Sequence, residues 1–541
     1  MADLNGERVF VGIPASGGLA VGAVAVERPA SANTRQAGTP EQEREALAAA
    51  LSAARDAIDA LAAEEGDLAA EILEFQSALL EDDDLLAPVF DLIAAGRPSH
   101  DAWAAVLDGE VAEYRAGDDD YFKARADDLI DLKTRVLRGL LGGAVADQVA
   151  ADAILIAQDL TPSRFLEIGR SKPLGVAIAG GSPTSHVAIL ARARGIPLVV
   201  GLAVDLDAVE DGAPAVLDAE AGRFVLDPNA ATIAETDKRR QALAATAAEA
   251  AKLLDRPAIT AGGERVELLI NVDDPSLLDE LDPVHCDGVG LTRTEFLFHG
   301  GALPGEEAQF DCYRRIVDWA AGRPVTVRTL DAGGDKPIDG VTPDGETNPF
   351  LGVRGVRLSL QQPEMFAVQL RALARAAALG PLKVMVPMVT VPLEMAEVRC
   401  LLDDVVAGLV RDGIDHARPA LGMMVEVPAA ALTAESFDVD FFSIGSNDLT
   451  QYVTACARDN AAVAPLADPR NPAVLELIRR TVEAGKANGA AVSLCGDMAS
   501  DPALVAALLD CGLRALSVAP AQIGVVKLAI AKYSGAAGRH G

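Results

Sequence analysis

A histidine, His186, stands in a segment that could carry a phosphoryl group. Residues 174–179 (LGVAIA) are short and apolar enough for a strand, and two glycines then allow a tight turn. Pro183 precedes a helix that we expect to begin near Thr184. His186 would lie in its first turn, where unpaired N–H groups favour negative charge, as on a phosphohistidine. A histidine that only caps or packs the helix is the equal alternative from these residues alone.

Charged side chains in the second half of the chain follow short apolar segments and could bind a phosphorylated anion. Guanidinium groups that converge on one place hold carboxylate and phosphate. Glu426 and Asp448 are hard oxygen ligands that suit Mg²⁺ bridging a protein and a phosphorylated substrate. Cys495 could donate or accept a proton, although a lone cysteine is more often a small buried hydrophobic residue. The cationic and amide members of the set are Arg293, Arg328, Arg354, Arg458 and Asn447.

Eight apolar strand candidates, separated by helical stretches, would position these side chains. Eight strands in roughly 280 residues are typical of a (β/α)8 barrel of the TIM type, whose site is built at the carboxyl ends of its strands. Several of the charged side chains stand at those ends, so we expect them to meet at one mouth. The candidates cover residues 266–272, 288–291, 325–330, 383–387, 422–427, 441–444, 491–494 and 515–518.

The first half of the chain has the pattern of an α/β domain with a helical bundle inserted near its start. Strand and turn signals occupy residues 8–28, helical periodicity runs from about 41 to 142, and alternating strand and helix signals return over 150–228. The predicted fold class is therefore multidomain α/β. We assign 1–40 and 145–229 to the α/β domain that carries His186, 41–144 to inserted helices, 230–261 to a linker helix and 262–541 to the barrel.

Composition narrows the partners and the compartment. The net charge of −33 over 541 residues argues against nucleic acid or an anionic membrane as partner, and no apolar run is long enough to span a bilayer. The six cysteines include no Cys-x-x-Cys pair, so we expect no zinc site, no disulfide framework and a cytoplasmic location. Residues 41–140 hold 25 acidic against 9 basic side chains. That excess is either a solvated helical surface or a docking face for a small basic protein.

Ordered motifs over nearly the whole chain resemble Enzyme I of the phosphoenolpyruvate-dependent phosphotransferase system. Motifs of this number and order are highly specific. They lie at residues 12–16 (GIPAS), 184–186 (TSH), 290–298 (GLTRTEFLF), 331–336 (DAGGDK), 348–352 (NPFLG), 443–452 (SIGSNDLTQY) and 495–496 (CG).

The resemblance implies a phosphotransferase in which His186 accepts the phosphoryl group of phosphoenolpyruvate and passes it to the carrier protein HPr, the first step of sugar uptake. Cys495 would protonate the departing enolate to give pyruvate, and Glu426 with Asp448 would hold Mg²⁺. The inserted helices would dock HPr, and the chain would form a homodimer through the barrel. The residues implied to bind phosphoenolpyruvate are Arg293, Arg328, Arg354, Arg458, Asn447 and Asp448.

Three departures from the family pattern bear on the site. Two residues, Ser182 and Pro183, separate the glycine pair from the TSH motif where one is common. Gln76 replaces a histidine in a segment that resembles the carrier-docking one, and Phe75 replaces a glycine there, so the docking details stay open. Asp497 follows the CG pair where glutamate is usual.

Other functions remain as alternatives. A pyruvate-phosphate dikinase or phosphoenolpyruvate synthase would need an ATP-grasp domain of a few hundred residues, which no segment supplies. A non-catalytic regulator that binds HPr-like proteins would not need the full set of reactive residues. A nitrogen-linked phosphotransferase usually carries an extra N-terminal sensory domain, so we expect sugar uptake. Because His186 must meet both the barrel and the carrier, we also expect a swivel about residues 145–152 and 228–262.

Overall fold

A computed structural model provides the structure of the chain, which divides into two compact units, residues 1–244 and 245–541. Each unit has its own sheet and its own core. The residues described are 2–4, 6–27, 37–62, 73, 76–116, 120–141, 152–183, 185–298, 303–334, 336–338, 340–343, 345–457, 460 and 463–535.

The first unit contains a nine-stranded mixed sheet with strand order β1-β2-β9-β8-β4-β5-β6-β7-β3. Its centre is parallel, from β4 through β5 and β6 to β7, and the flanking pairs are antiparallel. The strands are β1 (Ala2–Leu4), β2 (Glu7–Val11), β3 (Ile13–Ser16), β4 (Leu19–Glu27), β5 (Ala153–Ala157), β6 (Gly175–Ile178), β7 (Leu198–Val200), β8 (Pro214–Asp218) and β9 (Arg223–Leu226).

The helices between β4 and β5 pack on one face of this sheet, as the alternation along β5 shows. Leu155 belongs to the same buried cluster as Leu47 and Trp103 of the helices, whereas Ile154 and Ile156 face a second cluster on the other side. Both faces are covered, which is why β5 is apolar throughout. The helices of this part of the chain are α1 (Pro40–Ala62), α2 (Asp83–Ala94), α3 (Ser99–Ala116), α4 (Asp120–Leu140), α5 (Pro162–Gly169), α6 (His186–Arg194) and α7 (Ala230–Ala251).

The second unit contains a closed barrel of eight parallel strands, which confirms the predicted barrel and the multidomain α/β class. Each observed strand begins and ends within two residues of its predicted bounds. The strands are β10 (Glu267–Val272), β11 (Val289–Thr292), β12 (Val325–Arg328), β13 (Leu382–Val386), β14 (Ala420–Val425), β15 (Phe441–Gly445), β16 (Ala491–Cys495) and β17 (Ala515–Val518).

Alternation along the barrel strands separates the interior from the helical coat. Val384 and Val386 of β13 pack outward in the large core under the helices, whereas Met385 packs inward with Met424 and Cys495. The helices are α8 (Glu306–Ala320), α9 (Val356–Gln361), α10 (Pro363–Ala376), α11 (Pro392–Asp412), α12 (Pro428–Leu432), α13 (Ser446–Thr454), α14 (Pro472–Asn488), α15 (Asp497–Ser500), α16 (Val505–Asp510) and α17 (Ile523–Lys532).

Among the described residues, no helix combines the length and the apolar character that crossing a bilayer requires. All six cysteines are free thiols in this structure.

Candidate functional site

His186 is the first residue of α6, at the carboxyl side of β6. The helix begins two residues later than predicted because Ser185 takes the N-cap position, with its hydroxyl accepting the N–H of Ala188 at 3.3 Å. At the other end Gly195 adopts a left-handed conformation, φ 62°, and closes the helix. The imidazole therefore lies in the first turn as predicted, about one quarter of its side chain being exposed (27%).

Asp128 of α4 faces this histidine from the helical part of the unit. Its Oδ1 lies 3.7 Å from Nδ1 of His186, and its side chain has no exposed surface. The separation is within ion-pair range but too long for a hydrogen bond. A carboxylate beside Nδ1 favours the imidazole orientation that leaves Nε2 for another group.

One turn after Asp128 along α4, a buried hydrogen-bond network joins α4 to α5. Asp131 accepts the backbone N–H of Ser163 at 2.9 Å and its hydroxyl at 2.7 Å, which satisfies a free N–H at the start of α5. Gln76, which is fully buried, donates to the same carboxylate at 3.1 Å. Gln76 therefore makes a buried structural contact with α4. The Phe75 of the predicted docking segment lies outside the described residues.

The carboxyl end of the barrel, here called the mouth, brings together the site residues predicted in the second half of the chain, as far as the structure describes them. Arg328 and Cys495 end their strands, Arg293 and Glu426 directly follow theirs, and Asn447 and Asp448 lie in the first turn of α13 after β15. Arg354 reaches the mouth from the loop before α9. Arg458 lies outside the described residues.

Two buried arginines in the mouth share one carboxylate. Arg354 contacts Asp331 through two N–H···O bonds, at 2.8 and 3.2 Å, and Arg328 lies 3.0 Å from the same group. Arg354 also lies 3.3 Å from Asp448, and Arg328 pairs with Glu295 at 2.5 Å. Burial alone would raise the pKa of Asp331, but the two guanidinium groups outweigh it and hold that pKa below its ordinary value.

Glu426 is a buried carboxyl beside other negative charges. Its Oε1 accepts the backbone N–H of Met388 at 2.7 Å, and only 1% of the residue is exposed. Burial, followed by the charges of Asp448 and Asp331, raises the pKa of Glu426 to about 8. A cation between these carboxylates would relieve the repulsion.

The donor set fits Mg²⁺, which commonly takes one or two carboxylates and completes its shell with water and substrate phosphate. Glu426 and Asp448 supply two such oxygens. Among the described residues, no group of three or more histidine, cysteine or acidic side chains is arranged to hold a metal by itself. Substrate phosphate and water would complete the coordination of an ion held by these two carboxylates.

Cys495 ends β16 with its thiol inside the barrel. The thiol donates weakly to the carbonyl of Ile444 at 3.5 Å and accepts from the Ser443 hydroxyl at 3.8 Å. Burial raises the pKa of Cys495 to about 11, so the thiol is protonated at neutral pH. A protonated thiol in an apolar setting can act as a proton donor and not as a nucleophile.

Two arginines keep a donor with no hydrogen-bond partner among the described residues. Nε of Arg293 and Nε of Arg328 are both buried and unpartnered, although the Nη1 of Arg293 pairs with Asp273 at 3.0 Å. A buried donor without an acceptor is costly, so each is a position where an anionic ligand would stabilise the site.

Several residues that contact the His186 site or the mouth were not identified by the sequence analysis. Glu295 and Asp331 stand two or three positions after an arginine at a strand end, a spacing that could have indicated ion pairs. Tyr452, one turn after Asp448, donates from its hydroxyl to the carbonyl of Phe350 at 2.5 Å. No sequence signal marks Asp128 as a neighbour of the histidine, because its helix is distant in the chain.

Comparisons with known proteins agree with this architecture. The family model described as the PEP-binding domain of PEP-utilising enzymes matches residues 247–534, the model for their N-terminal domain matches 11–125, and the model for their mobile domain matches 149–222. These three matches, one of which covers more than half of the chain, define a phosphoenolpyruvate-utilising enzyme.

Relatives that match over most of their length identify the family within this class of enzymes. Phosphoenolpyruvate-protein phosphotransferase of Geobacillus stearothermophilus is 38% identical, with 97% of this chain and 94% of the relative covered. The protein of the same name from Bacillus subtilis is 37% identical over 86% and 83%, respectively. A solution structure of an Enzyme I protein covers 43% of this chain at 28% identity, with a TM-score of 0.37.

At this identity and coverage the chain belongs to the phosphoenolpyruvate-protein phosphotransferase family, Enzyme I of the phosphotransferase system. The resemblance drawn from the motifs is confirmed, and the chain is an enzyme of phosphoenolpyruvate-dependent phosphotransfer.

Proposed function

We propose that this chain transfers the phosphoryl group of phosphoenolpyruvate to His186, releases pyruvate, and then passes the phosphoryl group to the histidine of HPr in the first step of sugar uptake. One observation carries the proposal. The mouth joins cationic groups, a carboxylate pair and a protonated thiol at the carboxyl ends of the barrel strands. These are the groups needed to bind phosphoenolpyruvate, to neutralise its charge and to protonate the enolate that remains after transfer.

Binding of the substrate is assigned to the cationic and amide side chains of the mouth. The unpartnered Nε groups of Arg293 and Arg328 are donors for its carboxylate and phosphate oxygens. Arg354 holds Asp448 in place through its own ion pair and lines the same site. The remaining residues proposed to bind phosphoenolpyruvate are Arg458 and Asn447.

The transfer step makes one bond and breaks one bond. Nε2 of His186 attacks phosphorus, and the bond between phosphorus and the enol oxygen breaks with its electrons leaving on the enolate. Asp128 beside Nδ1 would orient the ring and stabilise positive charge that develops on it. The α6 N-terminus is a favourable place for the phosphoryl group that results.

Protonation of the enolate is assigned to Cys495. The thiol gives its proton to the terminal carbon, which yields pyruvate, and regains a proton from solvent afterwards. The raised pKa keeps the thiol protonated until the enolate, a much stronger base, is present. Trapping the enolate in this way opposes return of the phosphoryl group.

We assign Mg²⁺ binding to Glu426 and Asp448. When bound there, the ion would neutralise negative charge on the phosphoryl and carboxylate groups. The two side chains are held in place by contacts of their own, Glu426 by the Met388 N–H and Asp448 by Arg354. Their orientation therefore does not depend on the ligand.

The acidic helices are the proposed docking face for HPr. The acidic residues at the start of α2, Asp83 and Asp84, are exposed, and Asp101 of α3 is exposed as well. The negative electrostatic field of these carboxylates would speed the encounter with a basic carrier.

The proposal also includes a cytoplasmic location and a homodimer that forms through the barrel. Because His186 must reach both the mouth and the carrier, turnover would also involve movement of its unit.

Intact-protein mass after incubation with phosphoenolpyruvate and Mg²⁺ tests the proposal. The wild type is expected to gain one acid-labile phosphoryl group and to release one pyruvate, and HPr added afterwards should take the group. His186→Ala should gain none, while the control His416→Ala, at a histidine that follows α11 and contacts the Ile414 carbonyl, should behave as wild type. A folded wild type that gains no mass would instead be a non-catalytic regulator.

A further inference from the structure

Asp497 contacts the substrate-site residue Asn447 at two points. The backbone N–H of Asp497 donates to Oδ1 of Asn447 at 3.0 Å, and Nδ2 of Asn447 donates to the Asp497 carboxylate at 3.1 Å. The two residues follow adjacent strands, β15 and β16. Their paired bonds close a ring between the first turn of α13, which carries Asn447, and the first residue of α15, which follows Cys495.

These bonds fix which way the Asn447 amide faces. A carboxamide has two N–H donors and one oxygen acceptor, and its two ends are nearly equal in shape. The Asp497 carboxylate accepts one N–H of the Asn447 amide, and the Asp497 backbone N–H donates to the amide oxygen. If the amide were reversed, its NH2 group would face the Asp497 N–H and its oxygen would face the carboxylate, so both bonds would be lost. One N–H of Asn447 remains for a ligand in a single orientation.

The residue between Cys495 and Asp497 makes this approach possible. Gly496 has φ 96°, and a Cβ there would lie 2.4 Å from the Ser446 hydroxyl and 2.7 Å from Oδ1 of Asn447. Only glycine allows the starts of α13 and α15 to lie this close. Ser446 completes the contact, since its hydroxyl donates to the carbonyl of Cys495 at 2.7 Å.

We propose that Asp497 is a positioning residue for phosphoenolpyruvate binding, which acts by holding the Asn447 amide in its donating orientation. This inference rests on the proposed function of the mouth, in which Asn447 contacts the substrate. Asp497 itself is exposed and is not required to touch the substrate. The alternative is that the aspartate only stabilises the first turn of the short α15.

The test measures phosphoenolpyruvate affinity by calorimetry in the presence of Mg²⁺, in a His186→Ala background where no transfer can occur. Asp497→Ala is expected to weaken binding about tenfold, the effect of one misplaced hydrogen bond. Asp497→Asn keeps an acceptor of the same size and should stay within about threefold of the parent. Asp501→Ala, which removes a local contact to the Ala503 N–H in the same segment, is the matched control and should not change the affinity.

A double-mutant cycle separates positioning from simple stabilisation. In an Asn447→Ala background, Asp497→Ala should have no further effect on affinity, because the group it positions is already gone. An equal loss with and without Asn447 would overturn the proposal, as would unchanged affinity in the single variant. When Asp497→Ala is made in the protein that retains His186, the KM for phosphoenolpyruvate should rise while kcat changes little. Binding without transfer would overturn the proposed function and leave this inference intact; no binding by the parent would overturn both.

Discussion

The carboxylate of Asp128 lies 3.7 Å from Nδ1 of His186, so the candidate phosphoryl acceptor and its charge partner come from different layers of the first unit. Asp128 belongs to α4 of the helical part, and His186 begins α6 beside the sheet. Since Asp128 has no exposed surface, its charge acts on the imidazole with little screening by water.

Asp128→Asn is expected to slow phosphorylation of His186 by phosphoenolpyruvate about tenfold or more, because the ring loses the charge that stabilises its cationic form. Rapid-quench measurement of phosphohistidine gives the rate. Asp131→Asn on the same helix is the control, since Asp131 contacts Ser163 and Gln76 and should affect thermal stability more than the rate. Equal rates for Asp128→Asn and wild type would contradict the role given to Asp128.

Arg354→Ala is expected to lower the free energy of unfolding by about 3–5 kcal/mol, because Asp331 would lose a bidentate partner in a fully buried position. Arg354→Lys should recover only part of this loss, since an ammonium group cannot form the same fork. Urea unfolding monitored by circular dichroism measures both. Arg357→Ala, whose guanidinium contacts backbone carbonyls near the surface, should cost about 1 kcal/mol. Comparable losses of unfolding free energy in Arg354→Ala and Arg357→Ala would contradict the stabilising role given to the Arg354–Asp331 pair.

Glu426→Gln is expected to fold with near wild-type stability and to lose Mg²⁺-dependent phosphorylation by about a hundredfold or more. The pKa of about 8 means that the metal-free carboxyl is largely protonated at pH 7, and glutamine resembles that neutral form. Thermal unfolding in EDTA, followed by titration of activity with Mg²⁺, measures the two effects. Unchanged Mg²⁺ dependence would exclude Glu426 as a ligand.

Cys495 is expected to resist alkylation by iodoacetamide at pH 8 to 9 and to react as the pH approaches its pKa of about 11. The direction follows from burial, which disfavours the thiolate that performs the attack. The same shift means that the folded protein keeps a proton that the unfolded chain loses above pH 9, so stability should fall between pH 9 and 11.

The exposed Cys400 provides an internal control for this alkylation, because peptide mass mapping should find it modified rapidly at pH 8. Cys495→Ser should still form phosphohistidine but release pyruvate more slowly. Modification of Cys495 as fast as that of Cys400 at pH 8 would show that the thiol is not held protonated.

Much of the barrel could be predicted because its signals are local. Strands such as Val325–Arg328 are short, largely apolar runs between helical stretches, and the charged residues at several carboxyl ends follow from counting along the chain. The start of α6 was predicted two residues early because the Ser185 side chain, rather than Pro183, determines where the helix begins. Side-chain capping is a contact that the spacing alone does not specify.

The element types, their succession along the chain and the kinds of chemistry at the barrel strand ends could all be predicted from the amino-acid sequence, because they depend on residues close together in the chain. The partners could not be predicted, since they are brought together by packing: Asp128 for His186, Asp331 for both Arg328 and Arg354, and Asp497 for Asn447. These pairs join different elements or loops. Their contacts depend on how the elements pack, and that packing also buries Glu426 and Cys495 and shifts their pKa values.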